Sequence, residues 1–142
     1  MKSRKLAVFL ITIAISAFSY AQSNLAELLD QGGKKMSGAA VKTWLLGGTF
    51  SGLGLTNGFP LQIHYKDDGS FTGSVSAPSG PVGISGKWKV DDDGKMCVQL
   101  AGAPRPDAQW DCAYFYALGD RYFVSESDTD RAAKVGARTV KP

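Results

Sequence analysis

The chain has 142 residues, a formal net charge of +3 and one histidine, with 16 Lys and Arg against 13 Asp and Glu. Three of the basic residues lie within the first five positions, so residues 22–142 carry 13 basic and 13 acidic side chains. This balance excludes the basic footprint of a nucleic-acid-binding protein and a polybasic membrane-binding patch. A chain of this length supports a single domain, expected over 22–142, with a modest hydrophobic core.

Residues 1–21 have the pattern of a signal peptide. Basic residues precede an uncharged apolar run over 6–18, and the small residues Ser19 and Ala21 occupy the two positions that signal peptidase reads. The apolar run is short for a membrane span, and no second run follows it. We therefore expect cleavage after Ala21, export to the periplasm or beyond the cell, and no stable membrane anchor afterwards.

The only two cysteines, Cys97 and Cys112, are expected to form one disulfide. An exported chain meets an oxidising compartment, where such a bond persists. A structural bond is favoured over a redox role because the chain has no Cys-x-x-Cys motif.

The first segments after residue 21 are predicted to be helical. Residues 25–31 ("LAELLDQ") and 34–46 ("KKMSGAAVKTWLL") have helical composition, and the second segment places Trp44 and Leu45 on one apolar stripe. After residue 48 the pattern changes to short alternating runs broken by Gly, Asp and Pro, which is typical of strands. Strands are predicted over 49–54, 60–66, 70–76, 83–90, 95–101, 111–118 and 121–126.

Three turn motifs predict the register of three hairpins. In "VDDDGK" (90–95) and "YKDDGSF" (65–71) the glycine can close a three-residue loop after a type I turn, and "ALGDRYF" (117–123) offers a two-residue turn. The first two rules pair Trp88 with Val98 and Tyr65 with Phe71. Because the apolar partners collect on one face in both cases, Tyr65, Phe71 and Trp88 are the candidate interior residues.

The predicted fold is mainly β. We expect a small antiparallel sheet over about 49–126, curled into a partial barrel, with the helical segment over about 25–46 packed on it and one disulfide. The tail over 127–142 includes "AKVGARTVK", which has the composition of a short edge strand.

A second aromatic face is expected on the disulfide side of the sheet. If Cys97 and Cys112 bridge neighbouring strands, their face also carries four aromatic residues, Trp110, Tyr114, Tyr116 and Phe123. Such a face must be covered by a helix, enclosed by the curl of the sheet, or left open for a partner. We favour coverage by the stripe that contains Trp44 and Leu45, with the four aromatics as a candidate recognition surface if it stays open.

Three segments resemble a known family. "IHYKDDGSFTG", "GKWKVDDDGKMCV" and "CAYFYALGDRYFV", which lie within residues 60–126, are similar to small exported bacterial proteins known as a domain of unknown function, the DUF995-like family. The resemblance implies a small disulfide-bonded β fold and transfers no activity and no site residue.

No pattern of an enzyme stands out. His64 is predicted on the polar side of its strand, and a lone histidine leaves a zinc site without ligands. An EF-hand counted from Asp91 would have Met96 in its sixth position and Gly102 in its twelfth, so the three aspartates predict a turn, with weak calcium binding as the alternative. We therefore expect no catalytic residue, cofactor or metal site.

The expected function is a non-catalytic binding module. Its partner would be a small apolar or aromatic ligand held within the curled sheet. The alternative is a protein-interaction module or an inhibitor, with an envelope protein or an extracellular enzyme as its partner.

Overall fold

The computed structural model describes residues 22–102 and 109–142. The predicted signal peptide lies outside the described residues. The elements in chain order are α1 (Leu25–Asp30), β1 (Lys34–Lys35), α2 (Gly38–Leu45), β2 (Thr49–Leu53), β3 (Pro60–Tyr65), β4 (Ser70–Ala77), β5 (Gly80–Val90), β6 (Met96–Leu100), β7 (Asp111–Leu118), β8 (Arg121–Ser125) and β9 (Val135–Lys141).

Eight of the strands form a closed antiparallel barrel. Strands β2 to β9 each pair with the next strand in the chain, and β9 returns to pair with β2. The mainly β, curled sheet expected from the sequence is confirmed, and the curl continues to full closure. Closure leaves these strands without the open edges that a flat sheet presents.

The closing strand comes from the tail. Its composition suggested a short edge strand, but β9 is paired on both sides, since Arg138 lies opposite Gly52 of β2 and opposite Tyr122 of β8. The reason is that the first and last strands of the meander each offer an open edge. One strand between them satisfies both sets of backbone groups.

The three predicted hairpin registers are confirmed. Tyr65 pairs with Phe71, Trp88 with Val98, and the tight turn brings Leu118 opposite Arg121. In the three-aspartate stretch the Asp91 backbone N–H donates to the Lys95 carbonyl at 2.9 Å. Gly94 has a φ of 91°, a left-handed conformation that glycine adopts without strain. The stretch is a turn, as its register predicted.

The second helix begins later than its spacing indicated. Residues 34–46 were expected to be helical, but Lys34 and Lys35 pair with β7, and Ser37 caps α2 by accepting a hydrogen bond from the Ala40 N–H at 3.3 Å. The Gly38 N–H donates to the Asp92 carbonyl at 3.1 Å, so the three-aspartate turn anchors the start of this helix. The part of β7 that extends beyond its pairing with β6 has an open edge, and the two lysines pair with this edge.

Aromatic side chains fill the barrel. Phe50, Tyr65, Phe71, Trp88 and Phe115 belong to one buried cluster, to which α2 adds Val41 and Leu45. The Trp88 indole N–H donates to the Lys66 carbonyl at 2.9 Å, which satisfies its polar group inside the apolar interior. The predicted interior residues therefore lie in the core.

The second aromatic face is covered by α1. Leu25 and Leu28 of this helix pack on Tyr116 and Phe123 in a separate buried cluster that also contains Val135. We expected the stripe of the other helix to provide the cover. That expectation was wrong because Leu45 belongs to the barrel core.

The predicted disulfide is present. Cys97 and Cys112 are opposite each other on β6 and β7, and their sulfurs are bonded. None of the helices in the described part of the chain is long and apolar enough to cross a bilayer.

Candidate functional site: an apolar cleft beside a buried arginine

A cleft of about 670 Å³ lies at the end of the barrel where β2 leads into the 54–59 connection and β9 begins. Its walls are mainly apolar and include Leu53, Leu55 and Leu61. Two basic residues of the tail, Lys134 and Arg138, also line it. The cleft therefore combines an apolar surface with positive charge.

Arg138 directs its side chain into the barrel. It alternates along β9 with Val140, which packs against the interior cluster, and the residue is only 6% exposed. Its Cζ atom lies 5.8 Å from the centre of the Phe50 ring, within the range of a cation–π interaction. Its Nη1 donates to the Ala137 carbonyl at 2.8 Å, which fixes one edge of the guanidinium.

Two glycines make room for this side chain. A Cβ atom at Gly52 would lie 2.6 Å from Arg138 Cδ, and one at Gly136 would lie 2.9 Å from Arg138 Nη1. Both distances are shorter than real Cβ contacts. The guanidinium therefore occupies space that any other residue at these two positions would partly fill.

The electrostatics of the site follow from burial. Burial lowers the pKa of Arg138 to about 10, opposed in part by interaction with Tyr65. Burial also raises the pKa of Tyr65. At neutral pH the site consequently holds a charged guanidinium beside a neutral phenol.

No carboxylate balances this charge among residues 22–102 and 109–142. The only hydrogen bond of the guanidinium to those residues is the one to the Ala137 carbonyl. A guanidinium carries five N–H donors, so most of them have no protein partner there. Such a group can bind an anion, and it offers neither a nucleophile nor a base.

The acidic and imidazole side chains lie elsewhere. His64 is exposed on the outer face of β3, and the Asp67 carboxylate forms an exposed ion pair with Lys42 at 3.3 Å. Within the described ranges, no three His, Cys, Asp or Glu side chains are grouped closely enough to hold a metal ion.

The four candidate recognition residues do not form one open surface. Tyr116 and Phe123 are each 2% exposed beneath α1, so they are core residues of the outer cluster. Trp110 and Tyr114 are partly exposed, and each carries a lysine over its ring: Lys89 lies 4.5 Å from the centre of Trp110. The surface expected from alternation is reduced to these two aromatics because a helix covers the rest.

The interior candidates do come together. The Tyr65 ring centre lies 5.8 Å from that of Phe71 and 5.2 Å from that of Trp88. Tyr65 is the one of the three that interacts electrostatically with the site, through Arg138.

Sequence reasoning missed Arg138. The tail was interpreted as an edge strand, on which an arginine would be solvated and unremarkable. The signal that could have identified it is the alternation of Gly136, Arg138 and Val140, which places the arginine on the same strand face as an apolar residue.

Comparison of the chain with family models, with curated proteins and with solved structures finds no match.

Proposed function

We propose that the protein is a non-catalytic binding module that holds a small apolar or aromatic ligand in the cleft beside Arg138. The observation that carries the proposal is the cleft itself, whose volume of about 670 Å³ falls within the range of about 300–1,000 Å³ usual for small-molecule sites. Its mainly apolar walls with a few polar groups are also typical of such sites.

The proposal places this activity in the periplasm or outside the cell. The pattern of residues 1–21 supports export, and a disulfide persists in an oxidising compartment. The resemblance to the DUF995-like family assigns no activity and adds nothing to the choice of ligand.

The test uses an uncharged probe whose fluorescence rises in apolar surroundings, N-phenyl-1-naphthylamine. Protein expressed from the full chain and stripped of bound lipid should give saturable fluorescence enhancement. The Leu53→Asp variant places a charge in the cleft wall and should weaken binding at least tenfold. Val82→Asp is the matched control, because Val82 is a similarly exposed apolar residue that does not line this cleft.

Two results would contradict the proposal. The first is an absence of saturable binding by the unmodified protein. The second is an equal loss in both aspartate variants, which would assign the probe to nonspecific apolar surface.

A second candidate function is protein interaction through the outer face. It rests on Trp110, which stays partly exposed on that face with the Lys89 ammonium over its ring. Tyr and Trp are enriched among the residues that dominate protein interfaces. Under this alternative Trp110→Ala would abolish a specific crosslink to one envelope protein while leaving both the thermal stability and probe binding unchanged.

A further inference from the structure

We infer that the ligand of this cleft is a carboxylate-bearing amphiphile, whose carboxylate pairs with Arg138 while its apolar body lies along the cleft walls. The inference rests on the proposed function and specifies the chemical class of the ligand.

The first step is the cost of the buried charge. Transferring an ionised group out of water is strongly unfavourable unless it is paired and hydrogen-bonded. Arg138 is 6% exposed and keeps its positive charge at neutral pH, since burial leaves its pKa at about 10. Within the described residues, the Ala137 carbonyl and the Phe50 ring offset only part of the cost of desolvating this charge.

The second step is that the protein supplies no counterion of its own. In the part of the chain that the structure describes, the carboxylates of Asp30, Asp67 and Asp128 pair with other cations. Arg138 has no interaction with a carboxylate there. An anionic group of a ligand would fill this role.

The third step is that the guanidinium is held ready for a ligand. Its Nη1 is fixed on the Ala137 carbonyl, and the absent side chains of Gly52 and Gly136 leave it room. A guanidinium with free N–H groups matches the two oxygens of a carboxylate, because both are planar and can share two parallel hydrogen bonds. Lys134 adds a second positive charge to the cleft, which favours an anion further.

The fourth step is the shape of the rest of the ligand. Arg138 shares the cleft with leucine side chains, among them Leu53, Leu55 and Leu61. A small hydrophilic anion would leave these walls in contact with water, whereas an aliphatic or aromatic body would bury them. The combination selects an amphiphile over an inorganic anion or an uncharged hydrocarbon.

The experiment compares three ligands that share a ten-carbon chain and differ in their head group. Decanoate, 1-decanol and decyltrimethylammonium each compete with N-phenyl-1-naphthylamine for the full-length protein, and for its Arg138→Leu, Arg138→Lys and Lys134→Ala variants. Circular dichroism confirms that each variant is folded.

We expect decanoate to compete best and the ammonium compound worst. Arg138→Leu should weaken the binding of decanoate by about thirtyfold or more, as loss of one partner of a buried charge pair does. The same variant should change the affinity for decanol by less than about threefold. Arg138→Lys should give an intermediate loss because lysine keeps the charge without the paired donors. Lys134→Ala should reduce decanoate binding only slightly, since Lys134 is exposed.

Two outcomes would overturn the inference and leave the proposed function standing. In one, decanoate and decanol displace the probe from the unmodified protein equally well. This result does not depend on the folding of any variant. In the other, Arg138→Leu keeps the full preference for decanoate. If the neutral probe itself does not bind, the proposed function fails, and the inference fails with it.

Discussion

Gly52 lies directly opposite Arg138 on the neighbouring strand of the barrel, and a Cβ atom at Gly52 would lie 2.6 Å from Arg138 Cδ and 2.8 Å from Arg138 Nη1. The absence of a side chain at one position is therefore matched to the presence of a large cationic one at the other. We therefore expect the two positions to be thermodynamically coupled.

The first prediction tests that coupling. Gly52→Ala should lower the free energy of unfolding by about 1–3 kcal/mol, the usual cost of forcing an extra carbon into a filled space. The cost should fall when Arg138 is Ala, since the clashing Cδ and Nη1 atoms are then gone, and the part that remains reflects the Ala137 carbonyl oxygen, 2.9 Å from the added carbon. Urea denaturation of the four proteins in this cycle gives the coupling energy. Equal costs in both backgrounds would show that the two residues act independently.

The second prediction concerns the buried charge of Arg138. Burial lowers the folded pKa of Arg138 to about 10, below its ordinary value, so the charge destabilises the folded protein at neutral pH. This penalty begins to fall as the pH rises through about 10 and is lost only when the pH reaches the higher, ordinary pKa of the unfolded chain. Arg138→Leu should therefore raise the Tm at pH 8. The corresponding gain in the free energy of unfolding should be on the order of 1 kcal/mol. The gain should shrink at pH 10.5.

The matched control for that prediction is Arg131→Leu. Arg131 forms an exposed ion pair with Asp30 at 2.8 Å, and an exposed pair contributes about 0–1 kcal/mol. Its removal should lower the Tm slightly or leave it unchanged. A lower Tm for Arg138→Leu at pH 8 would mean that packing of the arginine stem outweighs the cost of its charge.

The third prediction concerns the disulfide. Replacing Cys97 and Cys112 together by Ala should lower the free energy of unfolding by about 3 kcal/mol, because the bond closes a loop with a sequence separation of 15. Thermal unfolding with and without a reductant checks this result. The reductant should destabilise the unmodified protein and leave the double variant unaffected.

The fourth prediction tests the cover of the outer aromatic face. Leu28 is fully buried against Tyr116 and Phe123, so Leu28→Ala should cost about 2–5 kcal/mol. Leu53→Ala should change the stability by no more than about 0.5 kcal/mol, since Leu53 is 57% exposed. Chemical denaturation separates the two results. Similar small effects would mean that α1 contributes little to the fold.

The fifth prediction concerns acid sensitivity at the start of α1. The Glu27 carboxylate accepts hydrogen bonds from the backbone N–H and the hydroxyl of Ser23, at 2.9 and 3.0 Å, and these bonds lower its pKa below 4.5. A lowered carboxyl pKa stabilises the folded protein above pH 4.5, and the contribution is lost as pH falls through the folded value.

The Tm difference between the unmodified protein and Glu27→Gln should therefore be constant above about pH 5 and should decrease at lower pH. Glu126→Gln removes one negative charge from an exposed position and serves as the control. A Tm difference that does not change with pH would show that the negative charge of the carboxylate does not contribute to the stability of the cap.

Much of the barrel could be predicted from the sequence because its hairpins are local. The turn at Asp91 to Gly94 determines which residues face each other within a few positions, and alternation then places Trp88 inside. The same reasoning located the core at Tyr65 and Phe71. Neither step needs information from distant parts of the chain.

The remaining features depend on contacts between distant residues. Whether β9 is an edge strand or a closing strand depends on β2, and no local pattern reveals that pairing. Both helices have an apolar stripe, and the local pattern does not reveal that α1 packs on Tyr116 while α2 joins the barrel core. The alternation of Gly136, Arg138 and Val140 shows which residues share a strand face with the arginine, but that this face lies inside the barrel follows only from the pairing of β9 with β2 and β8.

Closure by β9 also has a kinetic consequence. The pair Thr49 and Lys141 joins residues 92 positions apart, whereas the hairpins form between near neighbours. Contacts at long sequence separation form slowly because the entropy of ordering the intervening chain is lost first. During synthesis the β2 edge is made long before its partner, and until β9 docks both β2 and β8 present open edges. The period before docking is therefore when the chain is most prone to aggregation and most in need of a chaperone.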